Sequence, residues 1–250
     1  MNNLINILIR VTFRPKYFEK CIESILNQTY KNYNIICCYD DKLCLEYLKK
    51  YKDKLKYFFI NHKSKKKFFY NLYCNTLLKK VKNGYIMFLD DDDKFYSNSA
   101  LSEINEKLKN VNDIVFWKFK LSNKEIYPKN INKIKAGQIA NSTYCFHSKF
   151  KDLGEWKALQ IGDFCFLDEM LKNSNFNRIF IDEIFTGTIW YNVGKSGNDG
   201  KKDTEIVFED FIYSFYIKNL NFKFNEKYYK EKYTDLNVLN NENFNYYDHW

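Results

Sequence analysis

The sequence predicts an α/β fold: a mostly parallel central sheet flanked by helices. Over the first 120 residues, short apolar runs alternate with segments whose apolar residues recur three or four positions apart. The most apolar short run, residues 85–89, ends in four consecutive aspartates, and Asp40 and Asp41 end an earlier run. Alternating strands and helices favour parallel strands joined by crossover helices, because a parallel connection needs a long return segment.

In the first half of the chain, each element is predicted from its apolar spacing. Short continuous apolar runs indicate buried strands, and apolar residues at helical spacing indicate helices packed by one face. Pro15 suits the first turn of a helix, where its missing N–H is not needed. In chain order the patterns predict strand 4–11, helix 17–28, strand 34–39, helix 43–51, strand 55–60, helix 69–81, strand 85–89 and helix 100–108.

The second half of the chain has a less regular pattern. It predicts strands at 114–119, 126–127 and 138–146, a helix at 164–173, strands at 177–184 and 187–191, and a helix at 206–218. Residues 192–203 combine glycines and lysines and predict a loop. Because the composition shifts to Asn, Tyr and Lys near residue 221, we predict a domain at 1–220, with halves 1–120 and 121–220, and a helical extension at 221–250.

Composition excludes several classes of protein. Hydrophobic residues make up 45% of the 250 residues, which is enough for a sizeable core and excludes a disordered chain. Seven cysteines without a CxxC spacing indicate free buried thiols in a reducing compartment, and neither a disulfide framework nor a zinc site. No run approaches the roughly 20 apolar residues of a membrane span, so we expect a cytoplasmic protein without a transmembrane segment.

The net charge of +9 fits an anionic partner, such as a polyanion, a membrane surface or a small phosphorylated ligand. The basic residues are dispersed, and no stripe of arginines with interleaved aromatic residues stands out. We therefore expect no nucleic-acid partner.

The four aspartates at 90–93 are the clearest candidate site. Ligands of open α/β sheets bind beyond the carboxyl ends of the strands, where this run is predicted to lie. Adjacent carboxylates repel each other, so the fold has to supply a counter-charge, and oxygen ligands suit Mn²⁺ or Mg²⁺. The alternative is a solvated acidic turn, but the buried strand directly before the run favours a ligand site. The spacing excludes an EF-hand loop.

Two phrases of the sequence resemble glycosyltransferase family 2. Residues 5–41 read INILIRVTFRPKYFEKCIESILNQTYKNYNIICCYDD, and residues 84–93 read GYIMFLDDDD, which contains a DxD pattern. The resemblance covers about the first 120 residues. It implies a GT-A fold, a nucleotide-diphosphate sugar as donor, with UDP the commonest nucleotide, and a Mn²⁺ or Mg²⁺ ion.

The resemblance also implies roles for individual residues. A later carboxylate serves as general base in inverting members, and here Asp163 is the candidate, although Asp also caps helices well. Asp168 and Glu169 are the second choices for the base. Donor contacts are implied for Thr12, Arg14, Asp40 or Asp41, Asp90 and Asp91. Metal ligation is implied for Asp92, with Asp90 and Asp93.

Other candidate residues have equally good structural interpretations. Trp156 and Trp190 could stack on an acceptor sugar, but tryptophans are more often part of a core. Lys195 and Lys201 could close over the donor diphosphate, or belong to an ordinary loop. His147 could be a late metal ligand or a structural residue.

Residues 224–250 resemble a short helical module that accompanies some glycosyltransferase domains, and with the composition they resemble proteins of large DNA viruses. The resemblance implies further domains of a longer polypeptide and, for a viral protein, the host cytoplasm. The sequence as a whole predicts a metal-dependent, inverting glycosyltransferase that acts on a glycan or other hydroxyl acceptor. The alternative is an inactive sugar-nucleotide or glycan-binding module, because Gly162-Asp163 stands where the family has Glu-Asp.

Overall fold

The computed structural model describes residues 2–61, 66–121, 124–130 and 134–189. The predicted loop at 192–203, the helix at 206–218 and the extension at 221–250 lie outside the described residues. The proposed domain boundaries therefore remain predictions.

The described residues form nine strands and five α-helices. The strands are β1 (Ile5–Val11), β2 (Tyr33–Tyr39), β3 (Lys56–Phe59), β4 (Tyr85–Phe88), β5 (Asp93–Phe95), β6 (Asp113–Lys120), β7 (Ile126–Tyr127), β8 (Tyr144–His147) and β9 (Asn177–Thr188). The helices are α1 (Pro15–Leu26), α2 (Cys44–Leu48), α3 (Tyr73–Lys80), α4 (Ala100–Lys107) and α5 (Gly162–Lys172).

All nine strands belong to one sheet, in the order β3-β2-β1-β4-β8-β6-β9-β5, with β7 beside β6. The first four strands of this order are parallel, as the alternating pattern predicts. Beyond β4 the sheet is mixed, because β8 runs antiparallel to both β4 and β6, while β6 and β9 are parallel. The α/β class is confirmed, and the parallel part is the half of the chain that contains crossover helices.

One large core fills the space between a face of this sheet and the helices α3 and α5. Leu8 of β1 belongs to it, together with Leu77 of α3 and Phe166 of α5. Because strand residues alternate between faces, Arg10 lies on the same face as Leu8. An arginine of the sheet is thereby directed toward the layer that holds α3 and α5.

Three elements differ from the sequence prediction. The short strand β5 begins inside the acidic run and pairs with the end of β9. Strand β9 is continuous over Asn177–Thr188, where the pattern predicts two separate strands at 177–184 and 187–191. Of the predicted strand 138–146, only residues 144–146 belong to a strand, β8, which follows a short 3-10 turn.

The cysteines have the predicted character. All seven lie in the described part of the chain and are free thiols, and six of them are buried.

Gly84 connects α3 to β4 with a left-handed backbone, φ 86°. An added Cβ would lie 2.6 Å from the carbonyl oxygen of Leu4. Gly137 has a similar φ, 74°, but no atom within 4 Å of such a Cβ. Gly137→Ala therefore measures the backbone strain alone, and Gly84→Ala adds a clash with the backbone.

We expect Gly137→Ala to lower the free energy of unfolding by about 1–2 kcal/mol, the cost of a left-handed alanine, and Gly84→Ala to lower it by clearly more. Urea denaturation of both variants measures the difference. Equal losses would contradict the close approach of Gly84 to Leu4.

Candidate active site

The carboxyl ends of three neighbouring parallel strands form the candidate site. Strands β1, β2 and β4 end at Val11, Tyr39 and Phe88, so the segments that follow them meet at one edge of the sheet. This edge collects most of the residues that the sequence singles out: Thr12, Arg14, Asp40, Asp41, Asp90, Asp91, Asp92 and Asp93.

Two arginines balance the charge of the acidic run. Leu8 pairs with Phe88 in the parallel register, so Arg10, two residues further, lies beside Asp90. Arg10 donates from Nε to Asp90 Oδ1 at 3.0 Å and from Nη2 to both Asp90 oxygens at 2.7 and 2.8 Å. The two terminal nitrogens of Arg14 contact Asp91 and Asp92. The guanidinium groups of Arg10 and Arg14 thus supply the positive charge that the sequence led us to expect from a metal ion.

Asp91 is the interior member of the run. Its side chain is 0% exposed and accepts hydrogen bonds from Thr12 N at 2.7 Å and Thr12 Oγ1 at 3.2 Å. Burial raises the pKa of Asp91 to about 7, against the opposing effect of Arg14. Thr12 and Arg14 thus engage the Asp91 carboxylate, and its implied donor contact remains a prediction.

Asp93, for which metal ligation is implied, is likewise engaged inside the protein. It is the first residue of β5, is buried, and accepts a hydrogen bond from Ser142 Oγ at 3.0 Å. Burial, with the neighbouring charge of Asp92, raises the pKa of Asp93 well above its usual range. The members of the run that solvent reaches are Asp90 and Asp92, whose side chains are 25% and 10% exposed.

The oxygen chemistry of Asp90 and Asp92 fits Mn²⁺ or Mg²⁺. Within the described residues, no group of three or more His, Cys, Asp or Glu side chains is arranged to hold a metal ion. Ions of this kind need no such cage when a substrate phosphate completes their coordination, since one or two carboxylates then suffice. Asp92 Oδ2 already accepts a hydrogen bond from Arg14 Nη1. A metal ion bound to this oxygen would therefore compete with the guanidinium group.

Asp40 and Asp41 follow β2 but have different surroundings. Asp40 Oδ2 accepts a hydrogen bond from Tyr73 Oη at 2.8 Å, which ties it to α3. Asp41 Oδ1 accepts from the Leu43 amide at 3.0 Å, in the turn that leads into α2. The contact with Leu43 gives Asp41 a local role in the turn. Asp40 instead connects the end of β2 to α3 through Tyr73.

Asp163 is the second residue of α5, whose N-cap position is Ile161. Its Oδ1 accepts the amide of Phe164 at 2.7 Å, so it does not cap the helix in the usual N-cap position. Burial raises the pKa of Asp163 to about 6, while the Phe164 amide and Arg10 lower it and Asp90 raises it. Asp163 therefore interacts electrostatically with Asp90 of the acidic run and with Arg10.

The two second choices for the base lie in ion pairs. Asp168 Oδ2 accepts from Lys172 Nζ at 2.5 Å in an exposed pair. Glu169 contacts Lys157 and accepts the amide of Glu155 at 3.0 Å. Both carboxylates have structural partners, which favours Asp163 among the three.

Trp156 and His147 are not placed for the roles considered for them. The indole of Trp156 is 1% exposed and is stacked on Phe166 at 5.4 Å, so its ring has no free face for a sugar. His147 pairs with Tyr85, the first residue of β4, at the end of the strand away from the acidic run. Trp190, Lys195 and Lys201 lie outside the described residues.

Three residues of the site were absent from the sequence prediction. Arg10 donates from Nη1 to Asn71 Oδ1 at 2.5 Å, and its Cζ lies 5.4 Å from the ring centroid of Tyr70. Tyr70 is 42% exposed beside the acidic run. An arginine inside an otherwise apolar strand was the available signal for Arg10, whereas neither Asn71 nor Tyr70 stands out in the sequence.

The comparisons with known proteins agree with this geometry. Residues 7–176, more than half of the chain, match the family described as "Glycosyl transferase family 2". The chain belongs to glycosyl transferase family 2.

Relatives of this family 2 chain are found in bacteria. An "Uncharacterized glycosyltransferase" of Rickettsia bellii is 34% identical over 135 residues, covering 48% of this chain and 18% of the relative. A "Poly(ribitol-phosphate) beta-glucosyltransferase" of Bacillus spizizenii is 31% identical over 134 residues, covering 52% of this chain and 21% of the relative. The chain thus spans about a fifth of the length of these relatives.

Solved structures share the fold. The S. aureus TarS 1-349 structure in complex with UDP-GlcNAc aligns with a TM-score of 0.62 at 16% identity, covering 90% of this chain and 68% of TarS. The mannosyltransferase PcManGT from Pyrobaculum calidifontis, in complex with GDP-Man and Mn²⁺, aligns with a TM-score of 0.57 at 11% identity, covering 84% and 64%. These likenesses confirm the predicted GT-A fold of the family 2 domain.

Helices of the described residues are all too short or too polar to cross a bilayer.

Removing Arg14 leaves the buried carboxylate of Asp91 without its counter-charge. We expect Arg14→Ala to lower the free energy of unfolding by roughly 3–5 kcal/mol, the usual cost of breaking a buried pair from one side. Lys172→Ala, which breaks the exposed pair with Asp168, should cost about 0–1 kcal/mol. Urea denaturation of both variants tests this, and similar small losses would show that the Arg14 pair is not an interior one.

Proposed function

We propose that this family 2 chain is a metal-dependent, inverting glycosyltransferase. It transfers a sugar from a nucleotide-diphosphate donor to a hydroxyl group of a glycan or polyol. One observation carries the proposal: the partly exposed carboxylate of Asp90, the nearly buried one of Asp92 and the half-buried one of Asp163 all interact with the charge of Arg10 at the carboxyl edge of the parallel strands.

The donor side of the site is formed by the segments after β1, β2 and β4. Asp40 is the proposed contact for the nucleoside, because it follows β2 and is held by Tyr73 in a fixed orientation. Arg14 is the proposed cation for the diphosphate, together with Lys195 and Lys201. Solved structures of the same fold are complexes with UDP-GlcNAc or GDP-Man, which supports a nucleotide-sugar donor. UDP remains the expected nucleotide.

Asp92, with Asp90, would hold the Mn²⁺ or Mg²⁺ ion. When bound, such an ion stabilises the negative charge of the departing nucleoside diphosphate. The PcManGT structure is a complex with Mn²⁺, which supports the choice of ion. Arg14 contacts Asp92, so its guanidinium group would lie close to the departing diphosphate and would also stabilise the negative charge there.

Asp163 is the proposed general base. It accepts the proton of the acceptor hydroxyl while that oxygen bonds to the anomeric carbon and the bond from the anomeric carbon to the diphosphate breaks. A single displacement of this kind inverts the anomeric carbon. A pKa of about 6 leaves Asp163 ionised at neutral pH and still basic enough to accept a proton.

The acceptor is proposed to be a hydroxyl of a glycan or a polyol chain. The relative from B. spizizenii is named for poly(ribitol-phosphate), and the net charge of +9 is compatible with an anionic acceptor. Trp190 remains a proposed acceptor contact. A cytoplasmic location and further domains also remain predictions.

Asp163→Asn tests the base. We expect kcat to fall about 10²–10⁴-fold, the usual contribution of a positioned base, with donor affinity unchanged. In the unmodified chain kcat should fall as the pH drops below about 6, because only the ionised carboxylate accepts a proton. Asp168→Asn is the matched control and should keep its activity. Activity in Asp163→Asn equal to that of the unmodified chain would exclude this role.

Asp92→Ala tests the metal site by a measurement that needs no turnover. A ligand that binds only the native state raises the Tm. At a ligand concentration of a hundred times Kd, it stabilises the native state by about 2.7 kcal/mol. We expect Mn²⁺ with UDP-sugar to raise the Tm of the unmodified chain and of Asp182→Ala, an exposed control, but not of Asp92→Ala. A retained Mn²⁺-dependent shift in Asp92→Ala would contradict the proposed ligand. Donor binding without transfer to any acceptor would favour the binding-module alternative.

A further inference from the structure

The Arg10 side chain connects the acidic run to a segment far along the sequence. Its Nε and Nη2 are engaged with Asp90, and its remaining terminal nitrogen, Nη1, donates to Asn71 Oδ1 at 2.5 Å. The side chain is 13% exposed, so these contacts form largely away from water. One guanidinium therefore fixes both a carboxylate of the run and the amide of Asn71.

Asn71 passes this connection on to the start of α5. It is 6% exposed and lies in the short 3-10 turn Phe69–Leu72 that precedes α3. Its Nδ2 donates to the carbonyl oxygen of Leu159 at 2.7 Å. The same oxygen accepts the amide of Gly162, the first residue of α5, at 3.1 Å. Asn71 thus holds the carbonyl group of the turn that leads into the helix.

Gly162 packs directly against Asn71. A Cβ at Gly162 would lie 2.7 Å from Asn71 Nδ2 and 2.8 Å from the carbonyl oxygen of Lys157. Any larger residue would separate the helix from Asn71, which accounts for a glycine immediately before Asp163. The next residue along this tightly held backbone is Asp163 itself.

Aromatic rings restrain the guanidinium from its sides. The Cζ of Arg10 lies 5.4 Å from the ring centroid of Tyr70 and 5.9 Å from that of Trp156. Trp156 is itself fixed by Phe88 and Phe166. The buried indole therefore supports Arg10, whereas the sequence suggested that it would face an acceptor.

We infer that Arg10 and Asn71 are positioning residues that hold Asp163 at a set distance from Asp90. The inference rests on the proposed function, in which Asp90 belongs to the donor side and Asp163 activates the acceptor. The hydrogen-bonded chain from Asp90 through Arg10 and Asn71 to Leu159 joins the two sides. A misplacement of about 1 Å can cost on the order of 100-fold in rate, so such a connection matters for catalysis.

Asn75 provides a matched control. It lies one helical turn after Asn71 and also ties α3 to the segment before α5, donating to the Trp156 carbonyl at 2.9 Å and accepting its amide at 3.0 Å. Its hydrogen bonds involve neither Arg10 nor Leu159. Asn75→Ala removes a tether of the same kind and leaves the hydrogen bonds of Arg10 to Asp90 and Asn71 in place.

The kinetic test compares Asn71→Ala with Asn75→Ala. We expect Asn71→Ala to lower kcat roughly 10- to 100-fold, with the donor Kd changed by less than about twofold, because the donor side keeps its residues. Asn75→Ala should keep kcat within about threefold. An equal loss in both variants would reduce Asn71 to a general structural tether and overturn the inference, as would an unchanged kcat in Asn71→Ala.

A second measurement separates this inference from the proposed function. Hydrogen exchange of the amides of Gly162, Phe164 and Cys165 requires no substrate and no turnover. Arg10→Lys keeps the positive charge but cannot bond Asp90 and Asn71 at the same time through a planar guanidinium group. We expect it to speed this exchange about tenfold or more, although Arg10 itself bonds none of these three amides. Unchanged exchange in Arg10→Lys overturns the positioning role, even if the chain transfers sugar. Faster exchange in a chain without transferase activity supports the connection and contradicts only the proposed function. Should Asn71→Ala fail to fold, Arg10→Lys also takes its place in the kinetic comparison.

Discussion

The need to neutralise four adjacent aspartates governs the architecture of this site. The run follows β4, and its two guanidinium partners come from β1 and the turn after it, which the parallel register places alongside. Charges this close interact strongly in a partly buried setting, so the pairs hold the turn in one conformation. The same pairs leave Asp90 partly exposed and Asp92 slightly exposed, and direct Asp91 inward.

Neighbouring members of the run therefore have different tasks. Asp91 is bound by Thr12 and Arg14, and Asp93 by Ser142, so both secure the site from within. Asp90 and Asp92 face the edge where a donor and a cation would bind. The direction of each carboxylate follows from the sharp turn before β5, in which the Asp93 amide donates to the Asp90 carbonyl. Four identical residues in a row carry no sign of this division.

The proposed acceptor side depends on contacts between segments that are distant in the sequence. Asp163 lies seventy positions after the last aspartate of the acidic run, and Asn71 joins the turn before its helix to Arg10. Trp156 shows the limit of residue type as evidence, because a tryptophan near a site can support an arginine from the core instead of facing a sugar. His147 shows the limit of sequence position as evidence. Its strand, β8, runs antiparallel to β4, so His147 lies at the end of β4 that is away from the acidic run.

The sequence by itself determined the α/β class, the order of the elements in the first half and the edge of the sheet at which the acidic run lies. It could do so because apolar periodicity and the carboxyl ends of parallel strands are local properties. It also contained Arg10, an isolated charge in an apolar strand, without indicating its partner. Only the tertiary structure decided which aspartates face inward, that arginines pair with them and that Trp156 is buried. Those outcomes depend on register and on packing between distant segments, which residue spacing along one chain does not encode.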